Sequence, residues 1–163
     1  MKIGVYPGSF DPFTVGHLDV LKSAVGLFDL VYVAVLNNSA KSPVFGVAER
    51  IGMIDRVIES EGFQNVRAGS FDGLLVDYAQ TVEAQYIIRG LRAITDFEYE
   101  FQIDAVNRHL KPEIRTVYFM ANPAHSFLSS SNVREIGELG GSIEGLVPQC
   151  NIDYLRERLA RQK

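Results

Sequence analysis

Short apolar runs alternate with stretches of helical periodicity along the chain. The pattern predicts strands near residues 2–6, 30–36, 65–69, 86–89 and 115–120. The run Val31-Tyr32-Val33-Ala34-Val35-Leu36 is β-branched and apolar on both faces, as suits a central parallel strand. Between the strands, Leu18, Leu21, Val25 and Phe28 share one helical face. Over 47–60, Ile51, Ile54 and Ile58 do the same, while Glu49, Arg50, Asp55 and Arg56 are expected outside. Leu75, Val76, Tyr78, Ala79 and Val82 mark a third helix, with further helices over about 96–110 and 131–139. Pro148 suits the first turn of a last helix ending near Ala160, where its missing N–H costs nothing. The apolar residues of 72–82 and 96–110 fit a core as well as a contact between copies.

This alternation predicts an α/β fold: a Rossmann-like, doubly wound, five-stranded and mostly parallel sheet with helices on both faces and right-handed crossovers. A chain of 163 residues suits one domain over 1–163. No linker, repeat or low-complexity stretch divides it, and Gly140-Gly141-Ser142 reads as a turn.

Composition narrows the function. The net charge of −4 argues against a broad nucleic-acid-binding face, but a few local cations suffice for small anions. Cys150 is the single cysteine, so an intrachain disulfide and a thiolate metal cluster are excluded. His17, His109 and His125 are far apart and lack ligand-spaced partners, so no protein-held metal site is expected. No apolar run approaches membrane-spanning length, and no charged segment leads a long apolar one at the start, so no targeting leader is expected. A cytoplasmic protein without a membrane partner is expected.

The candidate chemistry gathers at strand ends. Pro7 and Gly8 are expected to end the first strand, and a helix begins around His17. Ligands bind in open α/β sheets at such carboxyl ends, and a helix amino end favours phosphate. Ser9 offers a hydroxyl and an amide, and His17 is the best catalytic candidate. Lys41, past the second strand, is a flexible ammonium suited to phosphate. Arg89 and Arg92 flank the Gly90-Leu91 turn after the fourth strand and match phosphate oxygens. In Asp96-Phe97-Glu98-Tyr99-Glu100 the acids suit a helix amino end, while Glu100 is able to bind a ribose or position an arginine. After the fifth strand, the His125–Ser131 run precedes a helix. It offers capping groups or a phosphate cradle, with Asn132 and Glu135 spaced as a capping box.

Thr14-Val15-Gly16-His17 resembles the T/H-x-G-H signature of the nucleotidyltransferases, and matches neither the dinucleotide fingerprint nor the Walker loop. Three narrower stretches point further: Ile88-Arg89-Gly90-Leu91-Arg92 with Asp96–Glu100, Asn107-Arg108-His109-Leu110, and Phe127–Ser131. With these the chain is similar, nearly end to end, to the bacterial phosphopantetheine adenylyltransferases.

That resemblance implies a reaction in which ATP and 4′-phosphopantetheine give dephospho-coenzyme A and pyrophosphate. It implies that Ser9, Lys41 and Arg89 contact the acceptor phosphate. Leu74 and Leu75 would line the pantetheine arm, with Asn107 nearby. ATP would be held by Ser9, Phe10, His17, Gly90, Leu91, Arg92 and Glu100. The run His125, Ser126, Phe127, Leu128, Ser129, Ser130 and Ser131 would hold it too. His17, Lys41 and Arg92 would carry catalysis, Mg²⁺ would arrive with ATP, and the protein would be a homohexamer built as a dimer of trimers. Ser9 stands where many relatives have threonine, and His125 where an aromatic residue is frequent. The rival readings are a nucleotidyltransferase with a nicotinamide mononucleotide or alcohol phosphate acceptor, a non-catalytic adenylate-binding module, and an aminoacyl-tRNA synthetase fragment. The last lacks the length and the basic face for a tRNA-binding partner domain.

Overall fold

The computed structural model describes residues 1–37 and 42–160, apart from the side chains of Ile94 and Thr95. Lys41 therefore lies outside the described residues. Five strands form one wholly parallel sheet: β1 (Ile3–Gly8), β2 (Leu30–Leu36), β3 (Val66–Phe71), β4 (Tyr86–Leu91) and β5 (Arg115–Met120). Six α-helices accompany them: α1 (Val15–Val25), α2 (Val47–Glu61), α3 (Leu75–Thr81), α4 (Ile94–Leu110), α5 (Ser130–Glu138) and α6 (Ile152–Ala160).

The strand order β3-β2-β1-β4-β5 reverses direction between β1 and β4. Ligand crevices form at such a switch point, at the carboxyl ends of the strands. Here the crevice is wide. β1 pairs with β2 all the way from Ile3 to Gly8, but with β4 only at Gly4 and Val5. The first strand thus runs on through Pro7 and Gly8 instead of ending before them. Because β1 leaves β4 beyond Val5, the proline sits where the ladder is one-sided, the setting a strand proline needs.

Alternation along the strands feeds two layers of core. Val31, Val33, Val35 and Ile88 pack with Leu18, Leu21 and Ala24 of α1 and Ile54 and Val57 of α2. Ile3, Val5, Ala34 and Ile87 pack on the opposite face with Val76 and Ala79 of α3. A third cluster joins Phe45 and Met53 to Val133 of α5 and Leu155 and Leu159 of α6.

Three local expectations change. Arg50 is 2% exposed, although its charge suggested the outer face of α2. Two backbone carbonyls at strand ends accept from it, so hydrogen bonding overrides helical periodicity. The cap of α5 is Ser129, whose hydroxyl accepts from Asn132 N–H at 3.1 Å. The helix therefore starts before the Asn132–Glu135 pair that suggested a capping box. Pro148 precedes a short 3₁₀ turn at Gln149–Asn151, and α6 begins only at Ile152.

Candidate active site

The site is built from the β1–α1 loop outward. Thr14 caps α1 in an extended conformation, and its hydroxyl accepts the His17 N–H at 3.3 Å. In return His17 Nδ1 accepts the Thr14 N–H at 3.0 Å. This is a reciprocal capping box with histidine in place of the usual Glu or Gln. A backbone amide only donates, so Nδ1 must be unprotonated and the ring proton resides on Nε2. Phe10 and Phe13 wall the imidazole, with ring centroids 5.1 and 5.4 Å away. Burial, and then the positive charge of Arg92, lower the His17 pKa to about 4. His17 is therefore a neutral ring with a fixed tautomer, suited to donate a hydrogen bond and unsuited to take up a proton at neutral pH.

Phe10 adopts φ +47°, the left-handed region that bulky residues rarely occupy. Such strain costs on the order of 1–3 kcal/mol and persists only where packing over-determines it. Here the ring is 1% exposed and packs against Tyr6, Phe13 and His17.

The cations come from β4 and the turn beyond it. Arg89 meets Glu100 of α4 in a two-point pair, with Nε donating to Oε2 at 2.7 Å and Nη2 donating to Oε1. Its Nη1 donates to the Pro7 carbonyl at 3.4 Å. Burial works to lower the Arg89 pKa, but the hydrogen bond and charge of Glu100 raise it on balance, so the guanidinium is firmly charged. Arg92 donates through Nη1 to the Leu128 carbonyl at 3.0 Å and through Nε to Asp96 at 3.3 Å. Between them, Gly90 allows α1 to come close, since a Cβ there would meet Val20 Cγ2 at 2.8 Å.

These groups line two adjoining clefts. The first, about 410 Å³, takes in His17, Gly90, Arg92, Glu100, His125, Leu128 and Ser129. The second, about 640 Å³, takes in Leu36, Pro43, Arg50, Leu75, Ile103 and Arg134. Ser9, Arg89, Ser130 and Ser131 line both and form the seam between them. Phe10 also lines the first cleft. His125 is fixed by an Nδ1 contact to Asp19 of α1, and Ser130 donates its hydroxyl to the Pro12 carbonyl at 2.8 Å.

Gly90 and Leu91 close β4, paired with Phe119 and Met120, instead of forming the expected turn. Other expected residues do not reach the clefts. Leu91 is buried, Ser126 and Phe127 face outward, and Leu74 is 54% exposed outside both. Asn107 lines a small separate hollow with Leu75, Arg89 and Glu100.

Three residues were not singled out by the sequence. Buried Asp11 accepts from the Val44 and Phe45 amides at 3.0 and 2.9 Å. Arg134 of α5 donates to both the carbonyl and the carboxylate of Asp11, tying the opening loop to α5. Arg50 donates to the Ser9 carbonyl at 2.8 Å and the Leu36 carbonyl at 3.3 Å. The one signal for Arg134 is its spacing, one turn after Ser130 on the same helix face.

Residues 5–136 match the cytidylyltransferase-like family model. The phosphopantetheine adenylyltransferase of Geobacter sulfurreducens is 51% identical, with the alignment covering 98% of this chain and 96% of that protein. The enzyme of the same name from Caldanaerobacter subterraneus is 45% identical, covering 99% of each. The chain belongs to the phosphopantetheine adenylyltransferase family. Among solved structures, a putative nicotinate-nucleotide adenylyltransferase from Vibrio parahaemolyticus superposes with TM-score 0.71 at 20% identity, covering 100% of this chain and 98% of that one. A Plasmodium falciparum nicotinic acid mononucleotide adenylyltransferase gives 0.63 at 18% identity, covering 99% and 97%. At these identities the two structures speak for the Rossmann-like nucleotidyltransferase fold alone. No helix among the described residues is long and apolar enough to cross a membrane.

Proposed function

We propose that the chain is an enzyme that transfers the adenylyl group of ATP to 4′-phosphopantetheine, giving dephospho-coenzyme A and pyrophosphate. A phosphate oxygen of the acceptor attacks the α-phosphorus of ATP in line. The bond from that phosphorus to the α–β bridging oxygen breaks, and pyrophosphate leaves. The attacking oxygen is already ionised near neutral pH, so no general base is required. The work is to bring two polyanions together and to stabilise the charge that develops, which positioning and preorganised donors supply.

The observation that carries this reading is the neutral imidazole of His17, held with its proton on Nε2, in one cleft with Arg89 and Arg92. ATP occupies the first cleft, and His17 donates to the bridging oxygen of the α-phosphate. Arg92 and Lys41 balance transition-state charge. Phosphopantetheine occupies the second cleft, with its arm along Leu75 and its phosphate held by Lys41 and, at the seam, by Ser9 and Arg89. Glu100 holds Arg89 in place. Mg²⁺ enters with ATP. Its ligands are the nucleotide's own phosphates and water, which is the usual way Mg²⁺ is carried into such sites.

Chains assemble as a homohexamer in the cytoplasm, neither nucleic acid nor membrane being a partner. Phe97, Phe101 and Val106, each at least half exposed on α4, offer an apolar contact face.

An acceptor panel with ATP, read as pyrophosphate release, tests the function. Phosphopantetheine is expected to support turnover, and nicotinamide mononucleotide and simple alcohol phosphates are not. A preference for either of those, or ATP binding without turnover on any acceptor, would overturn the assignment. Lys41→Ala is expected to weaken phosphopantetheine binding in calorimetry, and unchanged binding would remove Lys41 from the site.

A further inference from the structure

Arg50 is the least expected residue of the second cleft. It projects from α2, is 2% exposed, and forms no ion pair among the described residues. Its Nη1 donates to the carbonyls of Ser9 and Leu36, the chain just past β1 and the last residue of β2. Its Nε is buried without a hydrogen-bond partner among the described residues. Burying a charge is expensive unless it is paired.

The neighbouring charges are already committed. Arg89 is matched by Glu100. Arg134 is matched by Asp11, whose carboxylate also accepts the Val44 and Phe45 amides. Among the described residues of the second cleft, this leaves the charge of Arg50 in excess. Burial lowers the Arg50 pKa and the Asp11 charge raises it, yet a guanidinium does not give up its proton in a protein. The excess charge therefore stays, beside the loop that carries Ser9.

We propose that Arg50 is a positioning residue for the acceptor phosphate. It holds the tips of β1 and β2 at a fixed spacing and gives the second cleft the uncompensated positive charge that the incoming phosphate neutralises. This rests on the reading that the second cleft takes phosphopantetheine. A staple with no electrostatic role would affect both substrates alike; a residue that balances the acceptor's charge affects the acceptor selectively.

The test is calorimetric binding of phosphopantetheine and of ATP to wild type, Arg50→Gln and Arg50→Lys, with turnover in parallel and melting curves to establish folding. Arg50→Gln is expected to weaken phosphopantetheine roughly 30-fold and ATP by no more than about twofold. Its phosphopantetheine binding is also expected to depend less on salt. Arg50→Lys keeps the charge but loses the fork, and is expected to recover most of that loss. Folded Arg50→Gln with wild-type phosphopantetheine affinity, or with both affinities reduced equally, overturns the proposal. If Arg50→Gln does not fold, Arg50→Lys decides. A loss of about fivefold confined to phosphopantetheine supports the proposal, and no loss, or an equal loss for both ligands, overturns it. Wild type that binds phosphopantetheine without turnover overturns the functional reading, and the affinity comparison still decides the role of Arg50. Wild type that does not bind it overturns both.

Discussion

Helices α1 and α4 each follow a strand whose carboxyl end opens on the clefts, yet different forces hold them. α1 buries Leu18, Val20, Leu21 and Ala24 against the sheet. α4 buries one described side chain, the charged Glu100, and leaves Phe97, Tyr99, Phe101, Val106 and Leu110 exposed. Its tie to the sheet is polar: the Glu100 carboxylate to Arg89, and the Glu100 carbonyl to the Tyr118 hydroxyl at 3.2 Å. Hydrophobic burial is non-directional, whereas the Arg89–Glu100 pair fixes an angle and a distance. The helix that presents the imidazole is thus set by its core. The helix that sets the arginine is set by the arginine, and its apolar face stays exposed in the single chain.

The sharpest test of the α1 side is His17→Ala. We expect kcat to fall by about 10²–10³ with little change in either KM, because the proposed role of Nε2–H is a contact that strengthens in the transition state. Steady-state kinetics would show this, and near-normal turnover would remove His17 from catalysis.

Next in size is the contrast in packing. Leu21→Ala in α1 should cost about 2–5 kcal/mol in urea unfolding. Phe101→Ala in α4, 62% exposed in one chain, should cost under about 0.5 kcal/mol in the separated chain. The same change should lower the mass seen in sedimentation and make the melting temperature depend on protein concentration. Equal stability losses at the two sites, with the mass unchanged, would erase the contrast between the helices.

The smallest effect is on pH. The folded His17 pKa of about 4 lies below its ordinary value of 6.5. The unfolded chain therefore binds the proton more readily in between. The stability due to neutral His17 is fully present above about pH 6.5 and is lost as pH falls toward 4. Denaturant titrations of wild type and His17→Asn across this range should converge toward the acid end. A His17 resonance titrating near 6.5 in the folded protein would contradict the half-buried, neutral ring.

Much of this was legible in the sequence. Short apolar runs located all five strands, and period-3.6 patterns the six α-helices, to within a few residues. The polar strand-end loops marked the crevice, because the chain repeats strand, polar loop and helix start. What escaped has a common physical cause. Periodicity assigns a charge to the surface, so it missed Arg50, whose acceptors are carbonyls at strand tips. It is also blind to pairs distant in sequence, such as Asp11 with Arg134. The spacing of Thr14 and His17 is that of a capping box, but only the geometry reveals that His17 fills the role of the acid and so fixes its own tautomer. For α4, the pattern displayed an apolar face without telling whether the sheet or another copy covers it.

The central claim is that the two clefts meet at a seam where an acceptor phosphate takes the α-phosphate of ATP. Following ATP labelled at the α-phosphorus tests it most directly. The account predicts that the label passes into dephospho-coenzyme A when phosphopantetheine is present, and stays in ATP when the acceptor is withheld. Label released as free AMP, or no transfer with both substrates bound, would contradict it.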